Sequence, residues 1–453
     1  MKLLDAIREA GVVGCGGAGF PTHVKLNCLV KYLIVNAVEC EPLLRTDRFI
    51  VKNKTEDIIL GMELIAEQVR AEKKVIAIKY NYAEEISALE KVIKALKSNI
   101  EIFKLENIYP AGDEQYIVNA VTGKSVPPSG IPLDVNAVVT NVATVCCVAE
   151  SVKGKPFTHK YLTVTGEVEN PVIVYTPVGT SFASCVEAAG KILVDDYVII
   201  EGGPLMGKQY DKTQLENLFI TKTTSGLIIV PKNISVVNRN TIPLKSVLRR
   251  ARVACIQCSQ CADLCPRYLL GHPLKPHLIM RKLGYSSDIE SDIEKAQEDE
   301  ALKQALICCE CGVCEVFACP MELQPRQVNI YVKKILQNKG MRYSKPDCEV
   351  FSRKEFEGRK VPTKRIASRL GLNKYYDYQI SEIKIVEPKK VSIPLKQHIG
   401  VSATPVVKAG EKVECGKIIG TIEAEKIGAF VHATIDGAVT SVTDVITISR
   451  EVN

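Results

Sequence analysis

Eight of the seventeen cysteines in this chain of 453 residues fall into two closely spaced groups. The first group, with gaps of two, two and three residues, is Cys255, Cys258, Cys261 and Cys265. The second group, with gaps of two, two and four residues, is Cys308, Cys311, Cys314 and Cys319. Thiolates are metal ligands, and such short gaps allow one loop to supply several of them. The spacing therefore predicts two metal centres.

The proline after each group indicates the kind of metal centre. Pro266 and Pro320 follow the fourth cysteines, and this pattern matches the bacterial ferredoxin signature for two [4Fe–4S] clusters. Structural zinc is the alternative, but a zinc site uses two Cys-x2-Cys pairs. In paired cluster motifs the fourth cysteine serves the other cluster. We therefore expect one cluster on Cys255, Cys258, Cys261 and Cys319, and the other on Cys308, Cys311, Cys314 and Cys265.

Composition places the chain among soluble globular proteins of three or four domains, with 46% hydrophobic and 25% charged residues. No apolar run approaches the length of about 18 residues that a spanning helix needs. The N-terminal segment lacks the apolar core of a signal peptide, which predicts a cytoplasmic location. Cysteines outside the two groups are expected to be small buried residues: Cys15, Cys28, Cys40, Cys146, Cys147, Cys185, Cys309, Cys348 and Cys415.

The net charge of +7 is concentrated in one segment, because residues 339–374 hold eleven Lys or Arg and four Asp or Glu. A solvated linker is the favoured interpretation, and a docking surface for an acidic partner is the alternative. No recognised nucleic-acid fold accompanies the basic segment. Nucleic acid is therefore not an expected partner.

The order of apolar and amphipathic segments predicts a multidomain α/β protein. Strands at Lys31–Asn36, Lys74–Lys79 and Glu101–Leu105 alternate with helices at Lys54–Ala71 and Glu84–Lys97, which indicates a doubly wound parallel sheet over residues 1–155. The expected domains that follow are a small β-grasp-like module at 156–235, a mostly helical cluster-binding region at 245–338, a basic linker at 339–382 and a compact β-sandwich at 383–453. The cluster-binding region includes an acidic helix predicted at Ser287–Lys303.

A glycine-rich loop, with Gly14, Gly16, Gly17 and Gly19, precedes Lys25. Glycines allow backbone N–H groups to approach a phosphate closely, and the lysine adds positive charge. A tight structural turn is the alternative interpretation of the loop.

Two further polar segments lie where an open α/β sheet binds ligands. Asn36, Glu39 and Glu41 directly follow a buried strand, at the carboxyl edge of the expected sheet. Residues 109–114 (YPAGDE) open a helix with two acids, which either cap that helix or hold ribose hydroxyls.

These segments resemble a known family of redox proteins. GCGGAGFPT, NAVECEP, YPAGDE and the Asn-x-x-Thr turn at Asn141–Thr144 resemble motifs of the NADH- and FMN-binding subunit of respiratory complex I. Residues 161–207 resemble the soluble-ligand-binding β-grasp domain that follows it. Together with two [4Fe–4S] motifs, the chain resembles the family of Rnf electron-transport complex C subunits and propanediol-utilisation cobalamin reductases. The barrel-sandwich hybrid domain is expected at the C-terminus, which is the order of the cobalamin reductases.

The resemblance implies cofactor contacts, residue by residue. The FMN site is expected to comprise Gly14, Gly16, Gly17, Gly19, Lys25, Asn36, Glu39, Tyr109, Gly112, Asn141 and Thr144. Phe20, Glu41 and Glu114 are expected to face NADH, with Phe20 stacking on a ring. Cys15 and Val38 depart from the complex I pattern, which has an arginine and an acid at these positions.

The resemblance also implies the function. An NADH-dependent oxidoreductase would pass electrons through FMN, which takes up hydride and releases single electrons, to two [4Fe–4S] clusters. A corrinoid is the expected acceptor, with a microcompartment as one location. The alternative is an electron-transfer subunit that serves a partner protein at the inner face of the membrane or in a soluble complex, and a scaffold with vestigial motifs is a third hypothesis. No catalytic acid or base is expected.

Lys426 has two interpretations. Residues 423–426 (EAEK) resemble a lipoyl-attachment pattern. An ordinary hairpin lysine is the favoured interpretation, because the pattern is short and lacks the usual alanine after the lysine.

Overall fold

The computed structural model describes residues 2–284 and 299–450. Its N-terminal part is built on a parallel sheet with helices on both faces. The strands are β1 (Tyr32–Asn36), β2 (Lys73–Lys79), β3 (Glu101–Leu105), the short β4 (Ile108–Tyr109) and β5 (Ala137–Asn141). The helices are α1 (Leu3–Glu9), α2 (Thr22–Lys25), α3 (Thr46–Asn53), α4 (Thr55–Val69), α5 (Ala83–Ala95), α6 (Glu114–Thr122) and α7 (Val142–Ser151).

The first sheet has the order β3-β2-β1-β5, and all three pairings are parallel. The parallel sheet predicted from the sequence is therefore present, with strand and helix limits within three residues of the expected ones. The register places Asn36, at the carboxyl end of β1, beside Asn141 at the end of β5. Two of the predicted site residues are thus brought together by strand pairing alone.

Helix α4 shows how the sequence pattern becomes packing. Ile58, Met62, Ile65 and Val69 recur at helical spacing and are fully buried against the sheet. Gly61 lies where α4 meets α7: a Cβ atom added to it would lie 2.3 Å from the Val145 carbonyl oxygen. The absence of a side chain at Gly61 allows the two helices to pack closely.

A second, mixed sheet follows. Its first five strands are β6 (His159–Gly166), β7 (Val172–Pro177), β8 (Tyr197–Glu201), β9 (Lys208–Asp211) and β10 (Gly226–Pro231), with α8 (Phe182–Glu187) packed on it. The sheet order is β12-β7-β6-β10-β8-β9, in which β12 (Ile383–Ile385) comes from much later in the chain. Distant parts of the sequence are therefore joined in one sheet.

The cysteine-rich region is helical. It contains α9 (Ser235–Asn240), α10 (Leu244–Ala254), α11 (Gln260–Asp263), α12 (Pro266–Leu269), α13 (Pro276–Gly284), α14 (Glu300–Lys303) and α15 (Pro325–Asn338). Long amphipathic helices α10, α13 and α15 share one apolar core. Most of the acidic helix predicted at Ser287–Lys303 lies outside the described residues.

The predicted basic linker is in part a packed element. Strand β11 (Val361–Pro362) pairs with β4, and α16 (Thr363–Arg369) and α17 (Asn373–Tyr376) follow. Ile366, Leu370 and Leu372 are buried in a core shared with the second sheet and with the second cysteine group. The solvated-linker interpretation therefore does not describe residues 361–376, whose basic side chains occupy the outer face.

The C-terminal part is a sandwich of two small antiparallel sheets. One sheet has the order β13-β19-β18-β15 and the other β14-β16-β17. The strands are β13 (Lys390–Pro394), β14 (Thr404–Pro405), β15 (Lys412–Val413), β16 (Ile418–Thr421), β17 (Val431–His432), β18 (Gly437–Val442) and β19 (Val445–Ser449). Among the described residues, no helix is both long enough and apolar enough to cross a bilayer.

The close contact at Gly61 gives a stability prediction. Gly61→Ala should destabilise the protein by about 1–3 kcal/mol, because the added methyl group would push α7 away from α4. The measurement is the urea midpoint of the transition reported by far-ultraviolet circular dichroism. Gly358→Ala is the matched control, since a Cβ atom there meets nothing within 4 Å. Equal midpoints for the two variants would contradict this account of the helix contact.

Candidate functional site

Polar side chains converge at the carboxyl edge of the first sheet. The Asn36 Nδ2 group donates a hydrogen bond of 3.1 Å to the Gly112 carbonyl oxygen, and its Oδ1 atom accepts one from the Val38 N–H. Gly112 also lies against Cys40, with 2.6 Å between an added Cβ atom and the Cys40 Cβ. Asn36 thus connects the NAVECEP segment to the YPAGDE segment, as an edge-of-sheet site requires.

The glycine loop rests on the N-terminal turn of α7. The Cys15 N–H donates a hydrogen bond of 2.9 Å to Thr144 Oγ1. A Cβ atom added at Gly16 would lie 2.7 Å from Asn141 Nδ2, whereas one added at Gly17 would meet nothing within 4 Å. The loop is therefore held close at Gly16 and is open to solvent at Gly17, so its backbone N–H groups are accessible beside the positive end of a helix.

Two residues predicted for different ligands form an ion pair. Lys25 Nζ lies 2.8 Å from Glu114 Oε1, and both side chains are about one-third exposed, at 34% and 41%. Lys25 was predicted to contact FMN and Glu114 to face NADH. The pair places the end of α2, which follows the glycine loop, against the start of α6.

Glu39 is paired with an acid that the sequence analysis missed. Glu39 Oε2 accepts a hydrogen bond from the Asp47 N–H at 2.9 Å, and Asp47 Oδ2 accepts one from Asn141 Nδ2 at 2.8 Å. Burial and the neighbouring Asp47 carboxylate raise the pKa of Glu39 to about 8. Burial also raises the pKa of Asp47, to about 6. No helix was predicted over residues 46–53, so no sequence signal set Asp47 apart from other acids.

Glu41, predicted to face NADH, is engaged by the second sheet. Its two carboxylate oxygens accept hydrogen bonds from the N–H groups of Leu205 and Met206, at 2.9 and 3.1 Å. Burial raises the pKa of Glu41 to about 7, against these hydrogen bonds. Glu41 and Glu39 also line a cavity of about 160 Å³, together with Arg45, Arg48, Lys79 and Tyr82.

The C-terminal sandwich closes one side of the glycine loop. The Gly19 carbonyl oxygen accepts a hydrogen bond of 3.3 Å from the Ile399 N–H. Gly19 has a φ of +74°, and a Cβ atom there would lie 3.1 Å from the Gln397 carbonyl oxygen, so only glycine fits. Phe20, next in the chain, is half-buried beside this contact.

The YPAGDE segment also contacts both cysteine groups. The Tyr109 hydroxyl donates a hydrogen bond of 2.9 Å to the Cys311 carbonyl oxygen. Arg267, which follows Cys265 and Pro266, makes a bidentate pair with Asp113 at 2.7 and 2.9 Å. Asp113 caps α6 as well, because it accepts hydrogen bonds from the Gln115 and Tyr116 N–H groups. Asp113 is therefore a structural residue, and the sheet edge is fixed to the cysteine loops.

The eight predicted ligands line two separate cavities. One cavity is lined by Cys255, Cys258, Cys261 and Cys319. The other is lined by Cys265, Cys308, Cys311 and Cys314, and the adjacent Cys309 also borders it. Each cavity thus receives three cysteines from one motif and the fourth from the other motif.

The donor set fits clusters better than single zinc ions. Among residues 2–284 and 299–450, no three His, Cys, Asp or Glu side chains converge closely enough to hold one ion. Zinc–sulfur bonds of about 2.3 Å place thiolates only about 3.8 Å apart. The four thiols around each cavity do not converge on one point. They surround a space, which is the arrangement that a cubane with an iron at each corner requires.

Three segments match described protein families. Residues 7–150 match the Nuo51 FMN-binding domain. Residues 254–324 match a 4Fe-4S dicluster domain, and residues 373–452 match the RnfC barrel-sandwich hybrid domain. The fold and these matches define the class of the protein: it is an oxidoreductase that carries flavin and iron–sulfur centres on one chain.

Relatives narrow the class to a family. The cobalamin reductase PduS of Salmonella typhimurium is 38% identical over 99% of this chain and 96% of its own length. PduS of Citrobacter freundii is also 38% identical, over 97% of this chain and 94% of its own length. A subunit of the Na(+)-translocating ferredoxin:NAD(+) oxidoreductase complex of Acetobacterium woodii is 34% identical over 58% of each chain. The chain belongs to the PduS cobalamin reductase family.

The cofactors of the protein are FMN and [4Fe–4S] clusters, and its activity is NADH-linked electron transfer through them. Bound FMN supplies the exchange between a hydride and single electrons. The glycine loop and the edge of the first sheet supply polar side chains, an exposed run of backbone N–H groups and hydrogen bonds to the cysteine loops.

The acids at the sheet edge give a pH prediction. The free energy of unfolding of the flavin-free protein should fall as the pH rises from about 5 to 8. In the folded protein the pKa of Glu39 is raised from about 4.5 to about 8, and a carboxyl group with a raised pKa favours the folded state only while it is protonated. Glu39→Gln should weaken this dependence. The measurement is the urea midpoint at several pH values, with the exposed Glu90→Gln as control. If the urea midpoints of wild type and Glu39→Gln changed with pH in parallel, Glu39 would not be the source of the pH dependence.

Proposed function

We propose that the protein is an NADH-dependent reductase whose electron acceptor is a corrinoid. Membership of the PduS family supports this acceptor, because the relatives that match nearly the full length are cobalamin reductases. The observation that carries the proposal is the continuous contact from the glycine loop through the sheet edge to the cysteine cavities.

The proposed flavin site lies between the glycine loop and the sheet edge. Backbone N–H groups near the exposed Gly17 and the N-terminal turn of α7 would hold the phosphate, with Lys25 adding positive charge. Asn36, Glu39 and Tyr109 would border the ring system. The complete proposed set is Gly14, Gly16, Gly17, Gly19, Lys25, Asn36, Glu39, Tyr109, Gly112, Asn141 and Thr144.

The nicotinamide nucleotide would approach from the outer side of the loop. Phe20 is half-buried there and could stack on a ring, and Glu114 lies opposite in its pair with Lys25. Glu41 borders the same edge through the cavity it shares with Glu39. Hydride transfer needs no side-chain acid or base, so these residues act by binding and orientation.

In the proposed ligand sets, each cluster takes three cysteines from one motif and the fourth from the other motif. Cys255, Cys258, Cys261 and Cys319 would hold one cluster, and Cys308, Cys311, Cys314 and Cys265 the other. The second set lies nearer to the flavin edge, because Tyr109 bonds to Cys311 and Asp113 to Arg267. The first set would then be the exit toward the acceptor, which fits the exposure of Cys258.

We propose the domain limits that the sequence suggested, with one change. They are 1–155 for the FMN and NADH domain, 156–235 for the β-grasp domain, 245–338 for the cluster domain and 383–453 for the barrel-sandwich hybrid. The segment 339–382 connects them, and its part at 361–376 packs against its neighbours. The cytoplasm is the proposed location, and the PduS relationship favours a bacterial microcompartment within it.

A second candidate function is an electron-transfer subunit that serves a partner protein. The match to the ferredoxin:NAD(+) oxidoreductase complex of Acetobacterium woodii favours it over part of the chain. The two candidates differ in whether the isolated chain can reduce a corrinoid.

Gly17 tests the flavin site. Gly17→Val should lower the FMN content at least about tenfold, because its side chain would fill the open space in which the phosphate is proposed to bind. The measurement is FMN released by acid and counted by fluorescence, with iron per chain measured in the same samples. Iron content should stay at the wild-type value, and Gly358→Val should change neither quantity. Normal FMN content in Gly17→Val would show that the loop is structural only.

The acceptor is tested by an anaerobic assay of NADH-driven cob(III)alamin reduction. The isolated chain should turn over, and Cys258→Ala should lose corrinoid reduction while NADH still bleaches the flavin absorbance. Turnover that appears only after a partner protein is added would favour the electron-transfer subunit instead.

A further inference from the structure

A cavity of about 290 Å³ borders the glycine loop at Cys15. The loop, helix α7, strand β6 and the C-terminal sandwich all contribute to its wall. Four of the cysteines that the cluster motifs leave unused line it, and these are Cys15, Cys146, Cys147 and Cys415. Its volume is near the lower end of the range for small-molecule sites.

Lys160 is the unusual side chain in this cavity. It is only 6% exposed, and within the part of the chain that the structure describes its ammonium group has no hydrogen bond or ion pair. A cation that lines a cavity favours the ionised form of acidic groups near it. Its charge acts on Cys15 and on Asp47. Lys160 thus provides a positive environment for a thiolate in the cavity.

Cys15 and Cys147 are placed to react with each other. The Cys15 backbone N–H bonds to Thr144, while its side chain packs with Val13, Phe157 and Cys147 at the cavity wall. The Cys15 thiol lies 3.6 Å from the Val13 carbonyl oxygen. The influence of the neighbouring Cys147 thiol, followed by the charge of Lys160, lowers the pKa of Cys15 to about 7 against the effect of burial. A thiolate with a positive neighbour and access through a cavity is the environment of a reactive cysteine.

We propose that Cys15 and Cys147 form a reactive dithiol that is oxidised reversibly to a disulfide by low-molecular-weight disulfides, with Lys160 as its positioning cation. The Cys15 thiolate attacks one sulfur of the small disulfide, which forms a mixed disulfide and releases one thiolate. Cys147 then attacks the Cys15 sulfur of the mixed disulfide and releases the second thiolate of the small disulfide. The dithiol gives up two electrons, and its two protons end on the two released thiols.

The reaction would join the glycine loop covalently to α7. A metal site is the competing use of four cysteines, but no three metal-binding side chains converge here within the described ranges 2–284 and 299–450. Cys146 and Cys415 line the cavity but do not belong to the apolar cluster in which Cys147 packs with Cys15.

The test uses the intact cofactor-loaded protein under anaerobic conditions. Oxidised glutathione is added, free thiols are alkylated with iodoacetamide, and the digest is analysed by mass spectrometry. A peptide that joins Cys15 to Cys147 should appear and should be lost after dithiothreitol treatment. Cys147→Ser should trap glutathione on Cys15, whereas Cys146→Ser should still form the cross-link.

Lys160 is tested by the alkylation rate of Cys15. Lys160→Met should slow the reaction with iodoacetamide about tenfold, the factor that corresponds to one unit of thiol pKa. Lys155→Met is the matched control, because Lys155 lines the same cavity but is exposed, and its rate should equal that of wild type. Two results with the wild-type protein would each overturn the proposal. One is the absence of the Cys15–Cys147 cross-link, and the other is alkylation of Cys15 that is no faster than alkylation of the buried Cys185.

Discussion

The contact between the sheet edge and the cysteine loops is the constraint on which the rest of the structure depends. Electrons pass between cofactors only when the cofactors are close, so the flavin edge and the clusters must belong to one rigid unit. The Arg267–Asp113 pair and the Tyr109–Cys311 hydrogen bond provide this connection. The two side chains of the ion pair are only 10% and 14% exposed, so loss of either partner would leave an uncompensated charge, at a cost of about 3–5 kcal/mol.

The glycine loop depends on three other parts of the chain. Thr144 fixes its start, the Gly19–Ile399 hydrogen bond fixes its end, and Lys222 joins Gly11 to Phe430 through two hydrogen bonds of 2.7 and 2.8 Å. Burial lowers the pKa of Lys222 to about 7. The loop is therefore part of an interface between the first sheet, the second sheet and the C-terminal sandwich.

Features with local signals were predictable from the sequence. The parallel strands follow from apolar runs, and the two cysteine cavities follow from spacing and the cluster signature. Asp47, Arg267 and Lys160 were not predictable, because their partners lie far away in the chain and no periodic pattern marks such contacts. The packed segment at 361–376 was missed because its exposed lysines and arginines dominate the composition and hide the buried Ile366, Leu370 and Leu372.

The most direct test of electron flow within one chain is low-temperature electron paramagnetic resonance of the anaerobic protein after addition of NADH. Signals from reduced [4Fe–4S] clusters should appear in the wild-type protein and should be absent from a flavin-depleted Gly17→Val sample that dithionite can still reduce. Clusters that stay oxidised while NADH bleaches the flavin, or that NADH reduces equally well without flavin, would contradict this electron flow.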